Sequence, residues 1–282
     1  MAMDVSKQLT RNSFKQWIAS LDAFLFDCDG VLWRGAAPIE GAANAIKLLR
    51  SLNKRVVSLV FTASMALILI EESYEFESIF AVASQGIDAV EDEIVTSAWA
   101  TAQYMKQHKI EGKVYMVGEA GLQTELELEG YQVSGMDHSD IKGLPHVPDI
   151  DMETKAVVCG LDRDTTYPVD GAIIPGGGSL VHMLECAIGH PPEAICGKPS
   201  QDLLQTVVAN YSLEPARTCM VGDRLSTDIE FGNAGGLQTL LVLTGVTHES
   251  ELGSIDNALH VPDHYVDSVN AINVLHAEIL EN

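Results

Sequence analysis

A chain of 282 residues, 46% of them apolar, holds enough hydrophobic side chains for one large core or two modest ones. Its formal net charge of -23 excludes nucleic acid and anionic membrane surfaces as partners, because both require basic faces. The five cysteines (Cys28, Cys159, Cys186, Cys196, Cys219) show no CxxC spacing, so reduced thiols in a cytoplasmic compartment are the expectation.

The N-terminal stretch scatters Lys7, Arg11 and Lys15 among polar residues and has no apolar signal core. Residues 23–26 read as a short buried strand, and Ala42, Ala45, Ile46, Leu49 and Leu52 then recur at helical spacing. A second buried strand is expected over 55–61. The apolar run 56–70 is too short for a membrane span, which needs roughly 20 residues, and is expected to continue into another buried element. Strand, helix, strand with continuous apolar strands is the pattern of a parallel sheet covered on both faces.

A helix is expected over 97–107, a strand over 113–117, a helix over 118–130, a loop over 134–151 and a strand over 155–159. Gly176-Gly177-Gly178 reads as a hinge before a helix at 179–187. The last third returns to the opening pattern, with helix 200–210, strand 218–221, helix 228–234, strand 238–243, strand 264–266 and a closing helix. The fold class predicted from this pattern is α/β, a doubly wound, Rossmann-like parallel sheet.

Chemistry concentrates at three places. In Phe26-Asp27-Cys28-Asp29-Gly30 two carboxylates one residue apart share a face where an extended strand ends, and Gly30 lets the chain turn. Like charges so close call for a cation or a shared proton. The pair therefore points to a metal, a catalytic dyad or both, with a solvated Asp-Gly turn as the plain alternative. Gly222-Asp223-Arg224-Leu225-Ser226-Thr227-Asp228 again sets a carboxylate just past an apolar strand, where open parallel sheets bind ligands. If the two strands are neighbours, an oxygen-rich site suited to Mg²⁺ results. Asp228 reads equally well as a helix cap. Between them in sequence, Gly197-Lys198-Pro199 holds a lysine able to neutralise a phosphoryl oxygen.

Asp27-x-Asp29-Gly30-Val31, Lys198-Pro199 and Gly222-Asp223-Arg224-x-x-x-Asp228 resemble three motifs of the haloacid dehalogenase-like phosphatases. Residues 27–35, Leu243-Thr244-Gly245-Val246 and Val261-Pro262-Asp263-x-Tyr265-Val266 resemble more closely its eukaryotic p-nitrophenylphosphatase and phosphoglycolate phosphatase group. The resemblance implies an α/β cap inserted into the sheet domain, with residues 1–99 and 177–282 as the core and 100–176 as the cap. It implies Asp27 as nucleophile forming an aspartyl-phosphate and Asp29 as general acid and base. It implies Mg²⁺ held by Asp27, Asp29 (through its backbone carbonyl) and Asp223, with Asp228 in support. Lys198 would bind Asp27 and the phosphoryl group, and Gly30 the substrate. The substrate would be a small phosphorylated metabolite, 2-phosphoglycolate-like, with p-nitrophenyl phosphate cleaved in vitro. The alternative is a catalytically impaired relative that binds phosphate ligands or a protein.

The chain departs from that group in two places. Where Thr-Asn-Asn is usual it reads Val60-Phe61-Thr62-Ala63-Ser64; strict register sets Val60 at the threonine position, and Thr62 is the phosphoryl-binding candidate only with two extra residues, a slip that keeps strand parity. Near Tyr167-Pro168 a helix and a strand of the cap are missing, which leaves an uncovered edge; a homodimer is among the expectations. His182, Cys186 and His190 fall at i, i+4, i+8. Gly189 and Pro191-Pro192 end the helix before His190, so these read as ordinary helix and loop residues rather than zinc ligands.

Overall fold

A computed structural model describes residues 7–35, 37–60, 86–88, 91–118, 120–135, 153–160, 166–169, 172–175 and 177–281. In chain order the elements are β1 (Lys7–Gln8), α1 (Arg11–Ser20), β2 (Ala23–Asp27), β3 (Trp33–Arg34), β4 (Ala37–Pro38), α2 (Ala42–Ser51), β5 (Arg55–Val60) and β6 (Ile94–Thr96). Then come α3 (Ser97–Gln107), β7 (Lys113–Val117), α4 (Ala120–Leu128), β8 (Gln132–Ser134), β9 (Thr154–Cys159), β10 (Thr166–Val169), β11 (Ala172–Pro175) and α5 (Gly177–Ile188). The chain closes with α6 (Gln201–Tyr211), β12 (Thr218–Gly222), α7 (Glu230–Ala234), β13 (Gln238–Val242), β14 (His264–Val266) and α8 (Ala271–Leu280).

The chain forms two compact units, one including the elements β1 to β6 together with the residues from Lys198 onward, the other including Ser97–Gly197. In the first, seven strands pair in parallel in the order β1-β14-β13-β12-β2-β5-β6. This is the α/β, Rossmann-like sheet expected from the continuous apolar strands. Phe24, Leu25 and Phe26 of β2 and Cys219, Met220 and Val221 of β12 are fully buried, as strands covered on both faces must be. From β2 the chain winds outward through β5 and β6. From β12 it winds the other way through β13 and β14. The boundary between β2 and β12 is therefore the switch point of the sheet, where ligands bind beyond the strand ends.

The second unit has its own parallel sheet, β8-β7-β9, and a separate hairpin, β10-β11. Ala98, Ala102 and Met105 of α3 and Leu122 and Leu126 of α4 pack with Val114 and Met116 of β7. It extends to Gly197, past the glycine triplet at which the sequence placed the return to the core. Gly177 and Gly178 belong to α5 and are not a hinge ahead of it; Gly176 lies outside the described residues. The loop expected from 134 is preceded by a short strand, β8, that pairs with β7.

Two further differences concern the first unit. The polar N-terminal stretch holds α1, which buries Phe14, Trp17 and Ile18 at helical spacing. The helix expected at 228–234 is instead a π-helical turn, Leu225–Ile229, followed by the short α7. Among the described residues no helix is long and apolar enough to cross a membrane.

Candidate active site at the carboxyl edge of the sheet

Asp27 is the last residue of β2, and Asp223 follows the last residue of β12. The two strands are hydrogen-bonded neighbours, with Phe26 in register with Val221, so both carboxylates emerge from one edge side by side. Oxygens of Asp27, Asp223 and Asp228 lie within 4.8 Å of one another. Lys198 joins them, its Nζ donating to Asp27 Oδ1 at 2.5 Å and to Asp228 Oδ1 at 2.7 Å. The expectation of a convergent acidic site crossed by a lysine is realised in one unit of the chain.

Each group is fixed by its local backbone. After Asp27 the Cys28 carbonyl accepts from the N–H groups of Val31, Leu32 and Trp33, a tight turn that sends the chain back into the β3-β4 hairpin. Gly30 occupies the left-handed region (φ 85°), and its N–H donates to Trp33 O at 2.6 Å. That N–H is thus engaged within the turn, and Gly30 shapes the loop where the sequence had it among the substrate-binding groups. Asp29 is half-buried, and its Oδ1 accepts from Gly35 N–H at 3.4 Å. Its carboxylate is not a member of the three-carboxylate cluster.

Asp228 sits in the π-helical turn. Its Oδ2 accepts from the N–H groups of Asp223 and Arg224 at 3.2 and 3.1 Å. An extra residue in a helical turn, common at functional sites, here swings a carboxylate back over the strand end. Asp228 does more than cap a helix: it clamps the Asp223 backbone with one oxygen and Lys198 with the other.

Sequence reasoning assigned no role to Thr244, Gly245 and Val246, yet these residues set the Asp223 side chain. Val246 N–H donates to Asp223 Oδ2 at 2.6 Å, and Thr247 N–H donates to Asp223 O at 3.1 Å. A side chain at Gly245 would overlap the Asp223 carboxylate, so only glycine admits this approach. The cue was the glycine that follows an apolar strand and a threonine, as Gly30 follows Asp29. Thr62, the phosphoryl-binding candidate, lies outside the described residues.

Burial shapes the electrostatics. Desolvation pushes the Asp27 carboxyl up to about 7 against the pull of Lys198, and neighbouring Asp228 and Asp223 push the same way. Asp223 rises to about 6, again mainly through burial and the charge of Asp228. Lys198 is held protonated well above its ordinary range by Asp228 and Asp27, despite the desolvation of its ammonium. An all-oxygen donor set of two or three carboxylates at the mouth of a parallel sheet fits a hard cation such as Mg²⁺. His182 and His190 form no such group: His182 Nδ1 pairs with Glu185 Oε2 at 2.7 Å, and His190 Nδ1 lies 2.8 Å from Pro191 O.

Comparison with known proteins agrees with this geometry. A family model described as haloacid dehalogenase-like hydrolase matches residues 24–64 and 73–132, and a second, described as HAD-hydrolase-like, matches 195–272. The chain is 35% identical to a 4-nitrophenylphosphatase of Schizosaccharomyces pombe, covering 91% of this chain and 94% of that one. It is 33% identical to a chloroplastic phosphoglycolate phosphatase of Arabidopsis thaliana, over 90% of this chain and 77% of the relative. Among solved structures, a glycerol phosphate phosphatase of Mycobacterium tuberculosis in complex with magnesium superposes with a TM-score of 0.71 at 25% identity, over 94% of this chain and 78% of that one.

Proposed function

This chain belongs to the haloacid dehalogenase-like hydrolases and is a phosphatase, and from that premise we propose that it hydrolyses small phosphate monoesters through an aspartyl-phosphate on Asp27, with Mg²⁺ as cofactor. The observation that carries this reading is the lysine bridge. Lys198 Nζ bonds Asp27 and Asp228 together at the sheet edge where the Asp223 carboxylate also arrives.

In the proposed reaction an Asp27 oxygen attacks phosphorus in line as the ester P–O bond breaks. Asp29 protonates the departing alkoxide. It then takes the proton from a water that attacks the phosphorus of the intermediate, breaking the bond from Asp27 to phosphorus, releasing phosphate and restoring the Asp27 carboxylate. Lys198 keeps the attacking oxygen in place and offsets charge on the phosphoryl oxygens. Asp27, Asp223 and the backbone carbonyl of Asp29 would hold Mg²⁺, which supplies positive charge against the phosphoryl group and keeps the carboxylates ionised. Asp228 positions Lys198. The substrate class proposed is a 2-phosphoglycolate-like metabolite, supported by the phosphoglycolate phosphatase among the relatives.

The test is turnover of p-nitrophenyl phosphate and 2-phosphoglycolate with and without Mg²⁺, together with chemical trapping of the phosphorylated residue. Label on Asp27, and its loss in Asp27→Asn along with turnover, is the expected result. Equal turnover by the variant overturns the proposal. Turnover no better than buffer in the unaltered protein would favour a phosphate-binding relative instead.

A further inference from the structure

The ladder between β2 and β12 ends at Phe26 and Val221, yet the groups that matter lie beyond it. Something other than the sheet must hold the Asp27–Gly30 turn and the Asp223 side chain in mutual register. Two contacts do so from the far side of the sequence. The Arg34 guanidinium, on the β3-β4 hairpin, donates through Nη2 to Thr244 O, 210 residues away. Thr244 Oγ1 in turn donates to Gly30 O at 2.5 Å. The loop they fasten is the one whose Val246 and Thr247 N–H groups hold Asp223.

We infer that Arg34 is a positioning residue for the cation site: it straps the Thr244–Thr247 loop to the turn after Asp27 and so fixes the Asp223 carboxylate. The inference rests on the Mg²⁺-dependent reading above. Arg34 is exposed, so it adds little to the core, and its charge-assisted bond to a carbonyl acts on orientation. A guanidinium presents its donors in a rigid planar fork, which a lysine ammonium replaces only in part. The chain of contacts runs from Arg34 to Thr244, then through Gly245 and Val246 to Asp223, with no step through the substrate.

The experiment is calorimetric titration of the full-length protein with Mg²⁺ alone, on wild type, Arg34→Ala, Arg34→Lys, Thr244→Val and the double variant, with thermal unfolding of each metal-free protein as a folding control. Steady-state turnover of p-nitrophenyl phosphate accompanies it. Losing one net hydrogen bond should weaken Mg²⁺ binding by about three- to tenfold in Arg34→Ala. KM at saturating Mg²⁺ should stay unchanged, and Arg34→Lys should recover part of the affinity. Thr244→Val should show a similar loss, and the double variant less than the sum of the two because both bonds fasten one loop. Wild-type affinity for Mg²⁺ in Arg34→Ala overturns the inference. So does a raised KM with unaltered Mg²⁺ binding, which would put Arg34 on the substrate. Failure of the unaltered protein to bind Mg²⁺ overturns the cofactor reading itself, and this inference with it.

Discussion

Replacing Lys198 by methionine removes the cation lodged against Asp27 and Asp228 while nearly keeping side-chain volume. The Lys198, Asp27 and Asp228 side chains are only 9%, 13% and 1% exposed, so solvent cannot take over the screening. At an effective dielectric near 20, each contact is worth about 6 kcal/mol of gross Coulomb attraction. Much of that is offset by the cost of desolvating the ammonium. Removing one partner of such a pair typically costs about 3–5 kcal/mol, because the carboxylates stay behind uncompensated. At about 2–4 °C per kcal/mol for a chain of this size, the metal-free variant should melt about 6–20 °C lower near pH 8.5. The pH dependence carries the diagnostic sign. Asp27 and Asp223 already have folded-state values raised to about 7 and about 6, and losing Lys198 raises them further. The folded variant therefore takes up protons before the folded wild type, and its deficit shrinks as pH falls through that range. Thermal unfolding at pH 8.5 and pH 5.5 measures this, and kcat at pH 7.5 should fall by about 10²–10³. A variant as stable as wild type at pH 8.5, or a deficit that grows on acidification, would refute the electrostatic account of this site.

Gly245→Ala sets a methyl group against the Asp223 carboxylate; turnover should drop by about a hundredfold, with Mg²⁺ affinity reduced in a calorimetric titration. Normal Mg²⁺ binding by that variant would mean that Asp223 needs no such fit. If Asp27 and Asp223 are the Mg²⁺ ligands as proposed, protons compete with the ion for them, because burial raises both carboxyls. Mg²⁺ affinity should therefore climb between pH 5.5 and 7.5 and level off above, and a flat profile over that interval would remove these two carboxylates from the ligand set. Asp27→Asn should lose measurable p-nitrophenyl phosphate hydrolysis while keeping its circular dichroism spectrum, which separates loss of the nucleophile from loss of the fold.

Much of this architecture was legible because its chemistry is local. Continuous apolar runs marked β2, β5, β12 and β13, and the residues just past two of them supplied Asp27 and Asp223. Lys198 was readable because glycine and proline on either side restrict it. What escaped depends on contacts between distant segments. α1 was hidden by its polar residues, although Phe14, Trp17 and Ile18 carry the helical spacing. The π-helical turn at Leu225–Ile229 follows from Asp228 bonding back to the N–H groups of Asp223 and Arg224, which no hydrophobic period records. The Thr244–Val246 segment was visible only as part of the family resemblance, without a role of its own. Its part in holding Asp223 exists only once β13 is folded beside β12.

Charge accounting explains why such a site is built with one lysine and three carboxylates. With all four ionised, Asp27, Asp223 and Asp228 against Lys198 leave two uncompensated negative charges in a mostly buried pocket. The raised values of Asp27 and Asp223 express that strain: the protein alone favours keeping protons there. A phosphate ester brings further negative charge to a chain whose net charge is already -23, which disfavours its approach. On the proposed reading a divalent cation would supply the two missing charges, and the Lys198 ammonium could then face the phosphoryl oxygens. The same accounting separates the roles of the carboxylates. Both Asp228 oxygens already accept hydrogen bonds, one from Lys198 and the other from two backbone N–H groups. Asp228 is thus suited to holding the lysine and the loop, whereas Asp27 and Asp223 are the carboxylates better placed to take a cation. Asp228→Asn should accordingly disturb Lys198 more than Mg²⁺ binding. Its calorimetric Mg²⁺ affinity should stay closer to wild type than that of Asp223→Asn, and the reverse order would exchange the two roles.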